Sequence, residues 1–224
     1  MTTGAQAPAS IVIEGPIGAG KTTLAKKLAQ HLRMQPVLEE SRDNPFLPHF
    51  YGAPERYALP AQLYFLFQRE RQIGRLRQIG LFQPPHWVAD FMMDKDPLFA
   101  RETLEEQEYR LYLQVYDLLG PQSAPVPELM IYLQAPPEVL LQRIARRGIS
   151  YERRIDAEYL QRICGAYIEY FHYYESSPLL IVNVSECNLA DSEQDFQALL
   201  RHLRNCRAGR HYLNPGGESQ PWPE

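Results

Sequence analysis

The eight residues GPIGAGKT at 15–22 can cradle a polyphosphate. They match the pattern G-x-x-x-x-G-K-[ST]. Glycines at 15, 18 and 20 let the backbone turn tightly and aim its N–H groups inward. Lys21 then reaches the β- and γ-phosphates, and the Thr22 hydroxyl is placed for Mg2+. Pro16, Ile17, Ala19 and Thr23 complete the same cradle. The flanks give the string its weight. SIVIEG (10–15) reads as a buried strand, and KTTLAKKLAQHLRM (21–34) has apolar residues at helical spacing. The helix adds the positive end of its dipole to the loop. A nucleoside triphosphate is the expected ligand.

Two further groups of residues could do chemistry beside it. Glu39 and Glu40 close QPVLEE (35–40), and a carboxylate there can take a proton from an acceptor hydroxyl. Asp90 closes the apolar run HWVADF (86–91), where an acid holds Mg2+ directly or through water; a helix N-cap is the structural alternative. RIARRGISYERR (143–154) carries five arginines in twelve residues. It could be a nucleic-acid patch, a solvated helix face or an anion clamp. Arg143 and Arg147 lie one turn apart on one face, which suits closure on a polyphosphate.

Five short apolar segments, at 10–15, 35–40, 86–91, 128–134 and 179–184, alternate with amphipathic helical ones. That predicts a three-layer α/β/α domain over 10–205 with a five-stranded parallel sheet. Residues 1–9 and the Pro- and Gly-bearing 206–224 read as flexible tails, and 147–155 as a short lid. TLEEQEYRLYLQVYDLLG (103–120) reads as one helix, with Thr103 and Glu106 as a capping box and Gly120 as its end. In such sheets ligands sit beyond the carboxyl ends of the strands, which is where Gly15, Glu39 and Asp90 fall.

Composition narrows the class. The chain has 224 residues and a net charge of −4. No apolar run approaches the ~20 residues of a membrane span. The start, MTTGAQAPAS, has neither the basic nor the apolar stretch of a secretory signal. Cys164, Cys187 and Cys206 are too scattered for a zinc site and read as free thiols of a cytoplasmic protein. A GTPase would need N/T-K-x-D, which is absent. A nucleic-acid ATPase would normally carry an extended basic surface. A small-molecule kinase needs a base, a metal-side acid and mobile cations, and each has a candidate.

IEGPIGAGKTT, PVLEES, FYGAPERYALPAQLYFLFQRER, VADF with LFA, and RIARRGISYE with EYL follow one another along the chain. In that order they resemble the deoxyribonucleoside kinase family, most of all its bacterial branch acting on deoxyadenosine and deoxyguanosine. The resemblance covers residues 10–205. It implies a cytoplasmic homodimer that uses ATP and Mg2+ to phosphorylate the 5′-hydroxyl of a deoxyribonucleoside in salvage, with no nucleic-acid or membrane partner. It implies Glu39 as general base and Gln62 on the base edge. It implies Tyr51 and Glu152 on the sugar 3′-hydroxyl, Arg69 near base and carboxylate, and Arg143 and Arg147 on ATP phosphates. Asp90 would be the acid of the family's acid-Arg-Ser motif. There the chain departs, since Phe91 stands at the arginine position and Ile149 at that of a third lid arginine. Lys95 or a lid arginine would have to compensate. Asp94 or Asp96 could contact the base. A thymidylate-type nucleoside monophosphate kinase and a nucleic-acid-binding ATPase are the alternative readings.

Overall fold

The computed structural model describes residues 7–80, 86–119 and 125–215, with only the backbone for 78–80. In chain order the elements are β1 (Ser10–Glu14), α1 (Lys21–Leu32), β2 (Gln35–Val37), the 3-10 turn η1 (Ser41–Asp43), α2 (Leu47–Phe50), α3 (Pro54–Gly80), β3 (Trp87–Ala89), α4 (Lys95–Thr103), α5 (Glu106–Leu119), β4 (Leu129–Gln134), α6 (Pro137–Arg147), the 3-10 turn η2 (Ser150–Arg154), α7 (Ala157–His172), β5 (Leu179–Asn183), α8 (Glu193–Leu203) and β6 (Arg210–Leu213).

The sheet has the order β2-β3-β1-β4-β5-β6, and every pair is parallel. β1 is buried along its whole length. Strand side chains alternate faces, so the central strands feed two cores. Ile11, Ile13, Leu129 and Ile131 pack with Leu24, Leu28, Leu140 and Phe196 of α1, α6 and α8. Val12, Met130 and Tyr132 pack with Leu66, Tyr112, Tyr167 and Phe171 of α3, α5 and α7. β1 lies between β3 and β4, so the chain leaves it in both directions. The crevice at its carboxyl end is the switch point of the sheet.

The fold departs from the sequence reading in three places. The sheet has six strands, because Arg210–Leu213 pairs with β5 inside the segment expected to be a tail. Only Leu213 of the four is buried, and a short polar edge strand leaves no apolar run to read. Arg210 holds it in place by donating to the Phe171 and His172 carbonyls at the end of α7. At the other end, Ala9 already donates to Glu128 and accepts from the Trp87 N–H, so the ordered chain begins before residue 10. The helix expected over 103–120 starts later, at Glu106, and Thr103 is the last residue of α4. Thr103 closes α4 by donating to the Phe99 carbonyl, a back-bond that competes with N-capping. Gly120 lies outside the described residues.

Candidate active site

Phosphate binding begins with a backbone that only glycine allows. Gly15 has φ 148°, and a β-carbon there would come within 2.5 Å of the Leu133 carbonyl oxygen. Gly18 has φ 88°, with the Leu140 carbonyl 2.9 Å from the same imagined atom. No side chain caps the start of α1, so its first-turn N–H groups are open to an anion. Lys21 Nζ folds back over the loop, donating to the carbonyls of Gly15 (2.7 Å) and Pro16 (3.1 Å). Burial, then the charge of Lys95, pulls its pKa down to about 8, against Glu14, Glu39 and Asp90.

Asp90 ties this loop to the next strand end. One of its oxygens accepts the Glu39 N–H at 2.7 Å, and the other is hydrogen-bonded by the Thr22 hydroxyl. Thr22 and Asp90 therefore meet at the mouth of the loop. Behind them Glu14, wholly buried, accepts from the N–H groups of Gly15 (3.1 Å) and Met92 (2.9 Å) and from the Tyr167 hydroxyl (2.8 Å).

Glu39 is the most heavily engaged carboxylate. Gln72 and Gln68, one turn apart on α3, donate to the Leu38 carbonyl (2.7 Å) and the Glu40 carbonyl (3.1 Å), gripping the backbone on both sides of it. Arg69, between them on the same helix, puts Nε (2.9 Å) and Nη2 on Glu39 Oε1 and Nη1 on Asp96. Lys95 Nζ lies 3.4 Å from Glu39 Oε1 and 3.3 Å from Oε2. Burial pushes the Glu39 carboxyl up, but Arg69, Lys95 and Lys21 outweigh it and hold it at about 2. Burial dominates at Asp96, whose carboxyl is pushed up to about 7 although Arg69 and Lys95 draw it back.

These groups surround a cavity of about 170 Å3. It is lined by Ile17, Gly18, Gly20, Lys21, Thr22 and Thr23 of the phosphate loop, and by Glu39, Tyr51, Gln62, Arg69, Asp90, Arg147 and Glu152. Gly15, Pro16 and Ala19 form the back of the loop instead. Gln62 donates to Thr103 Oγ1 at 3.1 Å. Tyr51 stacks on Tyr151 and meets Tyr159 edge-on, each at 6.3 Å between ring centres. Glu152 is buried and takes both Nε (3.0 Å) and Nη2 (2.7 Å) of Arg147. The lining carries four cations (Lys21, Arg69, Lys95, Arg147) against three carboxylates (Glu39, Asp90, Glu152), a balance suited to an anion at one end only. Of two other hollows, of about 220 and 350 Å3, the first has Asp94 as its one charged lining residue and the second has none.

Several expected placements fail. Arg143 does not line the cavity, because its guanidinium is captured by the carbonyls of Val184 and Cys187 beyond β5. Glu40 faces a separate surface hollow. Asp94 is occupied by the Tyr170 hydroxyl, and Asp96 turns its carboxylate to Arg69 instead of lining the cavity. Phe91 is core. The sequence reading missed Glu14, Gln68, Gln72 and Tyr159. Of these only Glu14 carried a signal, as the one charged residue of an apolar strand.

Residues 11–206 match the family described as deoxynucleoside kinase. The chain belongs to the deoxynucleoside kinase family. A deoxyguanosine kinase of Bacillus subtilis (strain 168) is 32% identical over 198 residues, 87% of this chain and 95% of the relative. A deoxyadenosine kinase of Dictyostelium discoideum is 32% identical over 214 residues, 92% of this chain and 83% of the relative. Among solved structures, deoxyadenosine kinase from M. mycoides with bound dCTP superposes with a TM-score of 0.75 at 22% identity, covering 88% of this chain and 99% of that one. It shares the fold. The chain is thus a deoxynucleoside kinase, an enzyme that moves a phosphoryl group from a nucleoside triphosphate to a deoxynucleoside.

The buried ion cluster sets a pH signature. Glu39 titrates below its ordinary 4.5, so its contribution to stability is present above that pH and lost as pH falls towards 2. Asp96 titrates above its ordinary 3.8, so its contribution is present below that pH and lost as pH rises through about 7. Urea unfolding should show the two limbs meeting at a maximum near pH ~4–5. Asp96→Asn should flatten the fall between pH 4 and 7 and spare the acid limb; an unchanged fall in that variant would refute the assignment.

Proposed function

We propose that the enzyme phosphorylates the 5′-hydroxyl of a purine deoxyribonucleoside, with ATP as donor. One observation carries the choice of a nucleoside over a nucleotide acceptor. Arg69, two turns from Gln62 on α3, is held by two buried carboxylates, Glu39 and Asp96, and so is not offered to an acceptor bearing its own phosphate. A thymidylate-type kinase would need a free cation there. Two arginines of the 143–154 stretch are engaged by the fold, Arg143 on the Val184 and Cys187 carbonyls and Arg147 on Glu152, which favours a clamp over a nucleic-acid patch. Purine preference rests on the two relatives named for deoxyguanosine and deoxyadenosine.

In this reading Glu39 takes the 5′-hydroxyl proton. The 5′-oxygen bonds to the γ-phosphorus, and the bond from that phosphorus to the bridging oxygen breaks, its electron pair leaving with ADP. Gln62 addresses the base edge, and Tyr51 and Glu152 the sugar 3′-hydroxyl. The phosphate loop from Gly15 to Thr23 holds the triphosphate, and Arg147 turns from Glu152 towards it. Thr22 and Asp90 fit Mg2+, since a hydroxyl and a carboxylate free of any ion pair adjoin the loop as hard oxygen donors. Bound there, Mg2+ would offset charge on the β- and γ-phosphate oxygens. Glu39→Gln should lower kcat by about 10³-fold with ATP affinity preserved, as expected for loss of a general base. Full turnover in that variant would remove the assignment. Among the four deoxynucleosides and four ribonucleosides, kcat/KM should be highest for deoxyadenosine or deoxyguanosine. A pyrimidine in first place would overturn the base preference.

We also infer a homodimer joined through α3 and α5, and residence in the cytoplasm. Phe67 on α3 and Leu111 and Leu118 on α5 are 42%, 51% and 86% exposed, and the α5 pair is two turns apart on one face. Cys164, Cys187 and Cys206 are buried free thiols, each pushed up to about 11 by burial, which suits a reducing compartment. No helix among the described residues is long and apolar enough to cross a membrane. Sedimentation should give a dimer that Leu111→Asp with Leu118→Asp splits into monomers; a monomeric parent protein would remove the proposal.

A further inference from the structure

The two oxygens of Glu39 are not equivalent. Oε1 receives both Nε and Nη2 of Arg69, whereas Oε2 has Lys95 Nζ as its hydrogen-bond partner. An acceptor hydroxyl that gives its proton to Glu39 must therefore approach Oε2. Lys95 Nζ already stands 3.3 Å from that atom. An oxygen bound within hydrogen-bonding distance of Oε2 comes within reach of the ammonium as well.

Lys95 is built to face this point. It opens α4, is 4% exposed and lies 5.5 Å from the Phe99 ring centre one turn on. Its two neighbours in sequence, Asp94 and Asp96, are committed to the Tyr170 hydroxyl and to Arg69. An ammonium has three donors in free rotation. Here both contacts to Glu39 are long, and a long contact is cheaply exchanged for a shorter one. Pinning Glu39 does not need Lys95, because Arg69 on Oε1 and the two glutamines already do it. A cation that only lowered the basicity of Glu39 would slow proton transfer. Beside the acceptor oxygen, the same charge offsets what accumulates on the phosphoryl oxygens in a loose transition state.

We propose that Lys95 is a catalytic residue, whose ammonium holds the acceptor 5′-oxygen against Glu39 Oε2 and meets the transferred phosphoryl group there. The inference rests on the reading of Glu39 as the base. The proton of the 5′-hydroxyl goes to Oε2, the oxygen–phosphorus bond forms and the bond to ADP breaks; Lys95 keeps its own protons throughout.

Lys95→Met and Lys95→Arg test it, with the best nucleoside of the eight. Three quantities are measured: kcat, nucleoside affinity without ATP, and nucleoside affinity with ADP and aluminium fluoride, which mimics the phosphoryl in transit. Lys95→Met should lose about 100-fold or more in kcat, the cost of removing one preorganised donor. It should keep nucleoside affinity within threefold and lose the tightening that ADP with aluminium fluoride confers. Lys95→Arg should recover part of kcat. Should Lys95→Met fail to fold, Lys95→Gln, which keeps a donor without the charge, carries the same test. A neutral variant with kcat within threefold of the parent overturns the proposal. So does one that loses nucleoside binding in proportion to kcat, which would make Lys95 scaffold. A parent protein that phosphorylates no deoxynucleoside would instead remove the reading beneath it.

Discussion

A carboxylate kept charged inside a protein must bring its cations with it. Burial alone would push Glu39 towards the neutral acid, which cannot accept a proton. Arg69 and Lys95 reverse that, and each is itself a buried charge that needs an acid beside it. Asp96 supplies the second acid for Arg69. The result is a four-charge cluster assembled from three elements: the loop after β2, the middle of α3 and the start of α4. Removing Glu39 leaves Lys95, and removing Arg69 leaves Asp96, buried without its ion-pair partner, which costs more than the pair itself contributes. The path of α3 follows from this. It must cross the β2 loop closely enough for Gln68, Arg69 and Gln72 to reach residues 38–40 from one turn and a half of helix.

The phosphate loop is joined to that cluster through hydrogen bonds, not through packing. Asp90 bonds the Glu39 backbone with one oxygen and Thr22 with the other. Glu14 bonds the first residue of the loop and the segment after Asp90. Two carboxylates at neighbouring strand ends thus fix the distance between the donor end of the cavity and its base. Both lie where the parallel sheet leaves strand-end backbone groups facing the same crevice. Charged side chains there gain donors at little extra cost, because β1 and β3 have already brought those donors together.

The features legible in the sequence are those whose cause is local. GPIGAGKT needs only its own glycines and the helix behind it, and the structure places its inward-facing members on the cavity. Glu39 and Asp90 reach the cavity because the ends of β2 and β3 constrain them, and Tyr51, Gln62, Arg69 and Glu152, which only the family resemblance pointed to, line it as well. Features with non-local causes were not legible. Arg143 shares a helix face with Arg147, yet the Val184 and Cys187 carbonyls, some forty residues on, claim it. Thr103 has the spacing of a capping box, but α4 in front of it offers the Phe99 carbonyl. β6 is too short and polar to announce itself, and depends on the free edge of β5. Gln68 and Gln72 acquire a purpose only once α3 crosses the β2 loop.

The ion pairs of the cavity divide it into a fixed half and an exchangeable half. Arg69 and Glu39 are 4% and 15% exposed, so water cannot replace either partner and their geometry persists through a catalytic cycle. Arg147 is 44% exposed above a buried Glu152, and a pair with one partner half in solvent is worth roughly 1 kcal/mol or less. A polyphosphate offers Arg147 more charge than one carboxylate does, and a sugar hydroxyl offers Glu152 a donor in return. The exchange therefore costs little and leaves neither side unpaired. Gly148, with φ 74° at the end of α6, lets the chain turn directly from the helix that carries Arg147 into the η2 turn that carries Glu152. Donor and acceptor thus share one short hinge, while the base that must not move is anchored on the long helix across the cavity.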